Sequence, residues 1–134
     1  MGSIDTIMGM GVKQATTLRK NRVRTTEALL KRAGSRSGRR ELAGATGLPA
    51  PLLLKWVNRA DLMRVTGIGE EYSDLLEEAG VDTVKELRNR NPENLVARMA
   101  ELNRSRRLVR RLPTLPMVER WVAQAGELPP LVSH

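Results

Sequence analysis

Gly9-Met10-Gly11-Val12-Lys13 and Gly67-Ile68-Gly69-Glu70-Glu71 are the two places in this 134-residue chain where residue type and spacing suit chemistry. A Gly-x-Gly turn feeding a helix lets a phosphate or another backbone approach closely, because neither glycine carries a Cβ. The helix behind it presents free amides and the positive end of its dipole. The chemistry on offer is anion binding, not bond making. Both stretches lie in a longer pattern, Ile4-x-x-Ile7-x-Gly9-Met10-Gly11-x-x-x-Ala15-x-x-Leu18 and Leu62-x-x-Val65-x-Gly67-Ile68-Gly69-x-x-x-Ser73-x-x-Leu76, at a constant offset of 58 residues. The register persists through Val23/Val81, Thr25/Thr83 and Leu29/Leu87. A lone Gly-x-Gly is common and a phased pair is not, so the chain reads as a duplicated unit.

The copies part company where the chemistry would occur. Val12 and Lys13 follow the first turn, and Glu70 and Glu71 follow the second. Two carboxylates at a helix N-terminus stabilise the helix and repel a phosphate, so the second turn is expected to be structural or a docking surface. Further on, Gly80 suits a helix-ending left-handed turn, but its counterpart is Arg22, which leaves neighbouring Asn21 to supply that turn.

Other chemistries are poorly supplied. There is no cysteine, and the single histidine is His134, so thiolate or histidine metal sites and cysteine or histidine catalysis are excluded or confined to a terminus. No nucleophile, base and orienting group occur together, so no enzyme activity and no cofactor are expected. Neither a membrane-spanning apolar run nor a signal peptide is present, and the expected location is the cytoplasm, or the nucleoid if the protein binds DNA.

Charge sharpens the reading. Residues 1–60 hold 12 Lys/Arg against 3 Asp/Glu, a balance of +9, whereas residues 61–134 hold 11 against 12, a balance of −1. Such separation favours a polyanion facing the first repeat, double-stranded DNA first and an acidic protein surface second. The candidate contacts are Gly9, Met10, Gly11, Val12 and Lys13 with Arg36, Arg39 and Arg40 in a basic Gly/Ser/Arg loop, and Arg104, Arg106, Arg107, Arg110 and Arg111 as auxiliaries.

Apolar spacing of three and four residues predicts an all-α chain. Helices are expected over Ile4 to Ile7, about Val12 to Lys20, Thr26 to Arg32, Arg40 to Thr46, and from Pro51 towards Leu62. In the second half they are expected over Val84 to Arg90, Pro92 to Leu102 and from Pro116 onward, with Thr25 and Thr83 as caps and Gly47 ending a helix. Pro116 to Val122 echoes Pro51 to Val57 at an offset of 65, pairing Trp121 with Trp56. Their matched places in apolar helices mark both tryptophans as core rather than base-stacking platforms. The layout is one domain over 1–134, with repeat one at about 1–60, repeat two at about 61–126 and an extended tail at 127–134.

Hydrophobic-x-x-hydrophobic-x-Gly-hydrophobic-Gly-x-x-x-Ala-x-x-Leu resembles the helix-hairpin-helix motif of DNA repair, recombination and replication proteins. The stretch from Leu53 to Leu95 resembles a narrower group of small bacterial and archaeal tandem helix-hairpin-helix proteins of unassigned function. The resemblance implies an all-α, SAM-domain-like bundle of two pseudo-symmetric repeats, each of about five helices, sharing one core. It also implies sequence-tolerant gripping of double-stranded DNA by hairpin amides, and a possible monovalent cation on hairpin carbonyls. The alternative from the same residues is a non-enzymatic scaffold subunit that docks onto a larger protein assembly, through acidic Gly67, Ile68, Gly69, Glu70 and Glu71 or through the basic face.

Overall fold

The computed structural model describes residues 2–134, so Met1 of the first repeat lies outside it. Among the described residues there are eight α-helices and one 3-10 turn, and the only β pairing is an isolated bridge between Ser3 and Thr25. The protein is all-α. Two compact units divide it, Met1–Asp61 with Leu131–His134, and Leu62–Pro130.

The first unit begins with the 3-10 turn Ile4–Thr6, then α1 (Val12–Lys20), α2 (Thr26–Ala33), α3 (Arg36–Thr46) and α4 (Ala50–Leu62). Local chemistry sets these limits. The Thr25 hydroxyl accepts from the Ala28 amide at 3.0 Å to start α2, and Gly47, at φ 76°, ends α3 in the left-handed turn that glycine favours. Apolar residues on the inner faces (Ile4, Ile7, Leu18, Leu29, Leu42, Leu53 and Trp56) are buried. α1 packs on the 3-10 turn and α2 on α3.

The second unit holds α5 (Glu70–Glu78), α6 (Val84–Leu87), α7 (Pro92–Arg106) and α8 (Leu115–Glu127). The Asn91 side chain accepts from the Asn94 amide at 3.0 Å, and Pro92 takes the first helical position, where its missing N–H costs nothing. Leu75, Leu76, Leu87, Leu95, Met99, Val118 and Trp121 form the core of this unit, with α7 against α5 and α8, and α6 against α8. The Tyr72 ring leans on Trp121 at a centroid distance of 5.3 Å. Five helices were expected here and four form, because Leu62, expected to begin the repeat, is the last residue of α4.

Hydrogen bonds repeat in the 58-residue register. Ile7 donates its amide to Ile4 at 3.1 Å and Met10 to Ile7 at 3.2 Å; Val65 donates to Leu62 and Ile68 to Val65, both at 3.1 Å. Gly9 and Gly67 sit at φ 86° and 93°, so both turns need a left-handed residue where sequence spacing put a glycine. After α1 the Val23 amide reaches Leu18 at 2.9 Å, and after α5 the Val81 amide reaches Leu76 at 2.8 Å.

That last bond corrects one expectation. The left-handed residue after α1 is not Asn21, which sits at φ −96°, but Arg22 at φ 66°. The bond to Leu18 closes the turn as in the second unit, where Gly80 stands at φ 91°, and Asn21 uses its side chain to donate to Thr17 at 2.9 Å. A side chain with a Cβ costs about 1–2 kcal/mol in this backbone region. Two limits also move. α6 stops at Leu87 instead of Arg90, with Thr83 buried and its hydroxyl making no cap bond, and α7 runs four residues past Leu102.

Candidate nucleic-acid interface

The first hairpin is built by a turn with no side chain to spare. Gly11 precedes α1, and its amide donates to Gln14 Oε1 at 2.8 Å. The amides of Val12 and Lys13 stand in the first turn of α1, where no carbonyl lies four residues back within the helix to receive them. Val12 is 84% exposed and Lys13 is exposed beside it. An exposed, uncompensated helix start with an ammonium group is a surface on which a phosphate fits. Ile7 is fully buried and anchors the turn, while Met10 is half-buried.

The second hairpin repeats the turn hydrogen bonds and the left-handed glycine of the first, with the opposite electrostatics. Glu70 and Glu71 occupy the first turn of α5 and are exposed, and no basic side chain stands in that turn. Ile68 is buried, and the Ser73 hydroxyl donates to the Glu70 carbonyl at 3.0 Å.

A side chain from α4 latches the first turn, and one from α8 the second. Arg59 of α4, itself buried, donates from Nη1 to the Met8 carbonyl. Gln124 of α8 accepts the Thr66 amide at 3.0 Å and donates to the Thr66 hydroxyl at 3.3 Å. Met8 and Thr66 are matched at the 58-residue offset, and Arg59 and Gln124 at the 65-residue offset that pairs the tryptophans. Sequence spacing contained that correspondence, but nothing in it said which polar residue would turn inward. The Arg59 guanidinium on the Met8 carbonyl repels a further cation, so that carbonyl is not free for the monovalent ion that the resemblance implies. Among the described residues no cluster of three or more His, Cys, Asp or Glu stands ready for a metal either.

The basic loop is a helix. Ser35 caps α3 by accepting from the Gly38 amide at 3.0 Å, which carries the helix four residues further toward the N-terminus than the Gly/Ser/Arg composition suggested. Arg36 and Arg40 therefore stand one turn apart and exposed. Arg39 does not join them. It is only 4% exposed and donates to the carbonyls of Ala33 at 3.2 Å, Gly34 at 2.8 Å and Ser133. Burial first, and then the neighbouring charge of Arg36, lower its pKa from the ordinary arginine value. Arg39 is a structural cation and not a phosphate contact. The Ser133 amide also donates to the Gly34 carbonyl at 2.9 Å, so the end of the expected extended tail is bonded to the first unit. Arg39→Ala removes the donor that three carbonyls share, of which only Gly34 keeps another, the Ser133 amide, and is expected to lower unfolding stability by about 2 kcal/mol in urea titrations. It should also leave the salt dependence of ligand binding as it is; an unchanged urea midpoint with weakened binding would return Arg39 to the contact set.

Arg104, Arg106, Arg107, Arg110 and Arg111 are all exposed in the second unit, at the end of α7 and in the segment after it. Arg106 is engaged with the Glu78 carboxylate, which partly neutralises it. No helix among the described residues is long and apolar enough to cross a membrane.

Comparison with known proteins adds the family. A family profile described as Domain of unknown function (DUF4332) matches residues 8–128, spanning both hairpins and both tryptophan helices. The chain belongs to that family. Its match begins at Met8, the residue whose carbonyl Arg59 holds, and ends just past α8, so the latch and both Gly-x-Gly turns lie inside the DUF4332 region. No solved structure matches the chain.

Proposed function

We propose that this DUF4332 protein is a non-enzymatic, sequence-tolerant binder of the double-stranded nucleic-acid backbone, built on a tandem helix-hairpin-helix fold. The fold attribution rests on two Gly-x-Gly turns with matching hydrogen bonds, matching left-handed glycines and matching latches. One observation carries the function: the exposed start of α1, with Val12, Lys13 and no acidic residue in its first turn, in the half of the sequence that holds the +9 balance. Arg36 and Arg40 extend the basic surface, and the exposed arginines of the second unit assist. Nothing in this set selects a base edge, so the readout is of phosphate and not of sequence.

Glu70 and Glu71 favour a second reading, in which the second hairpin docks on a basic protein surface and the chain serves as a scaffold subunit. Binding to random-sequence duplex across a salt gradient separates the two. With about four to six phosphate contacts the log–log slope should be about −4 to −5. A flat salt response, together with copurification of one stoichiometric protein, favours the scaffold.

A further inference from the structure

Only two residues other than glycine have a left-handed backbone among the described residues, and both are exposed arginines, Arg22 at φ 66° and Arg107 at φ 50°. Arginine has no special tolerance for this region; asparagine, aspartate and glycine do. At the position matched to Arg22 the second unit has Gly80, with the same hydrogen bonds closing the turn, so glycine is compatible with the geometry and free of the strain.

Structural duties for the two side chains are already filled by others. Both stand at helix C-termini, where a cation is favourable, but Arg19 and Lys20 lie in the last turn of α1, and Arg104 and Arg106 in that of α7. Nearby arginines that hold the fold have partners: Arg19 pairs with Asp5 at 3.2 Å, Arg32 donates to the Asn21 carbonyl at 2.9 Å, and Arg106 pairs with Glu78. Among the described residues the guanidinium groups of Arg22 and Arg107 have no such partner. A strained backbone retained for an exposed, unpaired charge points to a ligand for that charge.

We infer that Arg22 is a phosphate-contacting residue of the first unit, and that Arg107, at a different place in the second, plays the same part, each held in an unfavourable backbone conformation for the sake of its guanidinium. The inference rests on the proposed backbone-binding function. It adds to the hairpin a contact at the far end of α1, beside exposed Lys20 and Arg24.

The test is Arg22→Gly, with Arg22→Lys to keep the charge and Arg98→Gln to remove one positive charge from an exposed pair with Glu101 elsewhere. Melting temperature and binding to a random-sequence duplex are measured for each at several salt concentrations. Arg22→Gly should melt about 2–4 °C higher, as relief of the strain requires. It should also bind duplex roughly three- to tenfold more weakly, with a log–log salt slope shallower by about 1. Arg22→Lys should keep the slope, and Arg98→Gln should bind as the parent does. Higher melting temperature with unchanged affinity and slope overturns the inference and leaves the proposed function standing. A lower melting temperature overturns it by making Arg22 structural. Absence of salt-dependent duplex binding by the parent protein overturns the proposed function, and the inference with it.

Discussion

Replacing Trp56 with alanine is expected to lower unfolding stability by about 3–5 kcal/mol, the largest single effect in this protein. The ring is 1% exposed in the middle of α4, in a unit whose other large buried apolar side chains are aliphatic. Removing it deletes the apolar contact area of the largest side chain and leaves a cavity that leucines and isoleucines cannot collapse to fill. With no phenylalanine in the chain, no second aromatic of that size stands in the first unit to take over. Urea unfolding followed by circular dichroism measures the loss. A Trp56→Ala protein that kept its midpoint but lost affinity for single strands would make the ring a stacking platform instead.

The second large effect is a change of charge at the hairpins. Lys13→Glu puts a carboxylate at the start of α1, and Glu70→Lys with Glu71→Lys clears two from the start of α5, which follows a turn with the same hydrogen bonds. A charge beside a phosphate contributes on the order of 1 kcal/mol at modest salt. The double reversal changes four units of charge, so a gain of about 3 kcal/mol in duplex binding at low salt is expected, diminishing as salt rises. Both Glu70 and Glu71 are exposed, and circular dichroism should show an intact fold.

Much of the local structure was legible in the sequence, because it depends on residues close together along the chain. The 58-residue register placed left-handed glycines at Gly9 and Gly67, and the 65-residue echo placed Trp56 and Trp121 inside. What could not be read depends on partners far away in sequence. Gly34 to Arg40 has loop composition, yet it joins a helix because Ser35 caps it and because the carbonyl of Ser133, 94 residues on, receives the Arg39 guanidinium. The Arg59 latch likewise needs Met8, 51 residues earlier. Asn21 lost the left-handed turn for a different reason: propensity named the better residue, but the bond from Val23 to Leu18 fixed which position had to turn. Exposure was legible at Lys13, Arg36 and Arg40, and misread at Arg39, whose guanidinium turns inward to the carbonyls of Ala33, Gly34 and Ser133.

Titrating one random-sequence duplex with three folded proteins at one low salt concentration tests whether the first hairpin grips phosphate and the second has lost that role. Lys13→Glu should bind more weakly than the parent, and the Glu70→Lys, Glu71→Lys protein more tightly. Equal affinity of all three for the duplex would rule out gripping by the first hairpin.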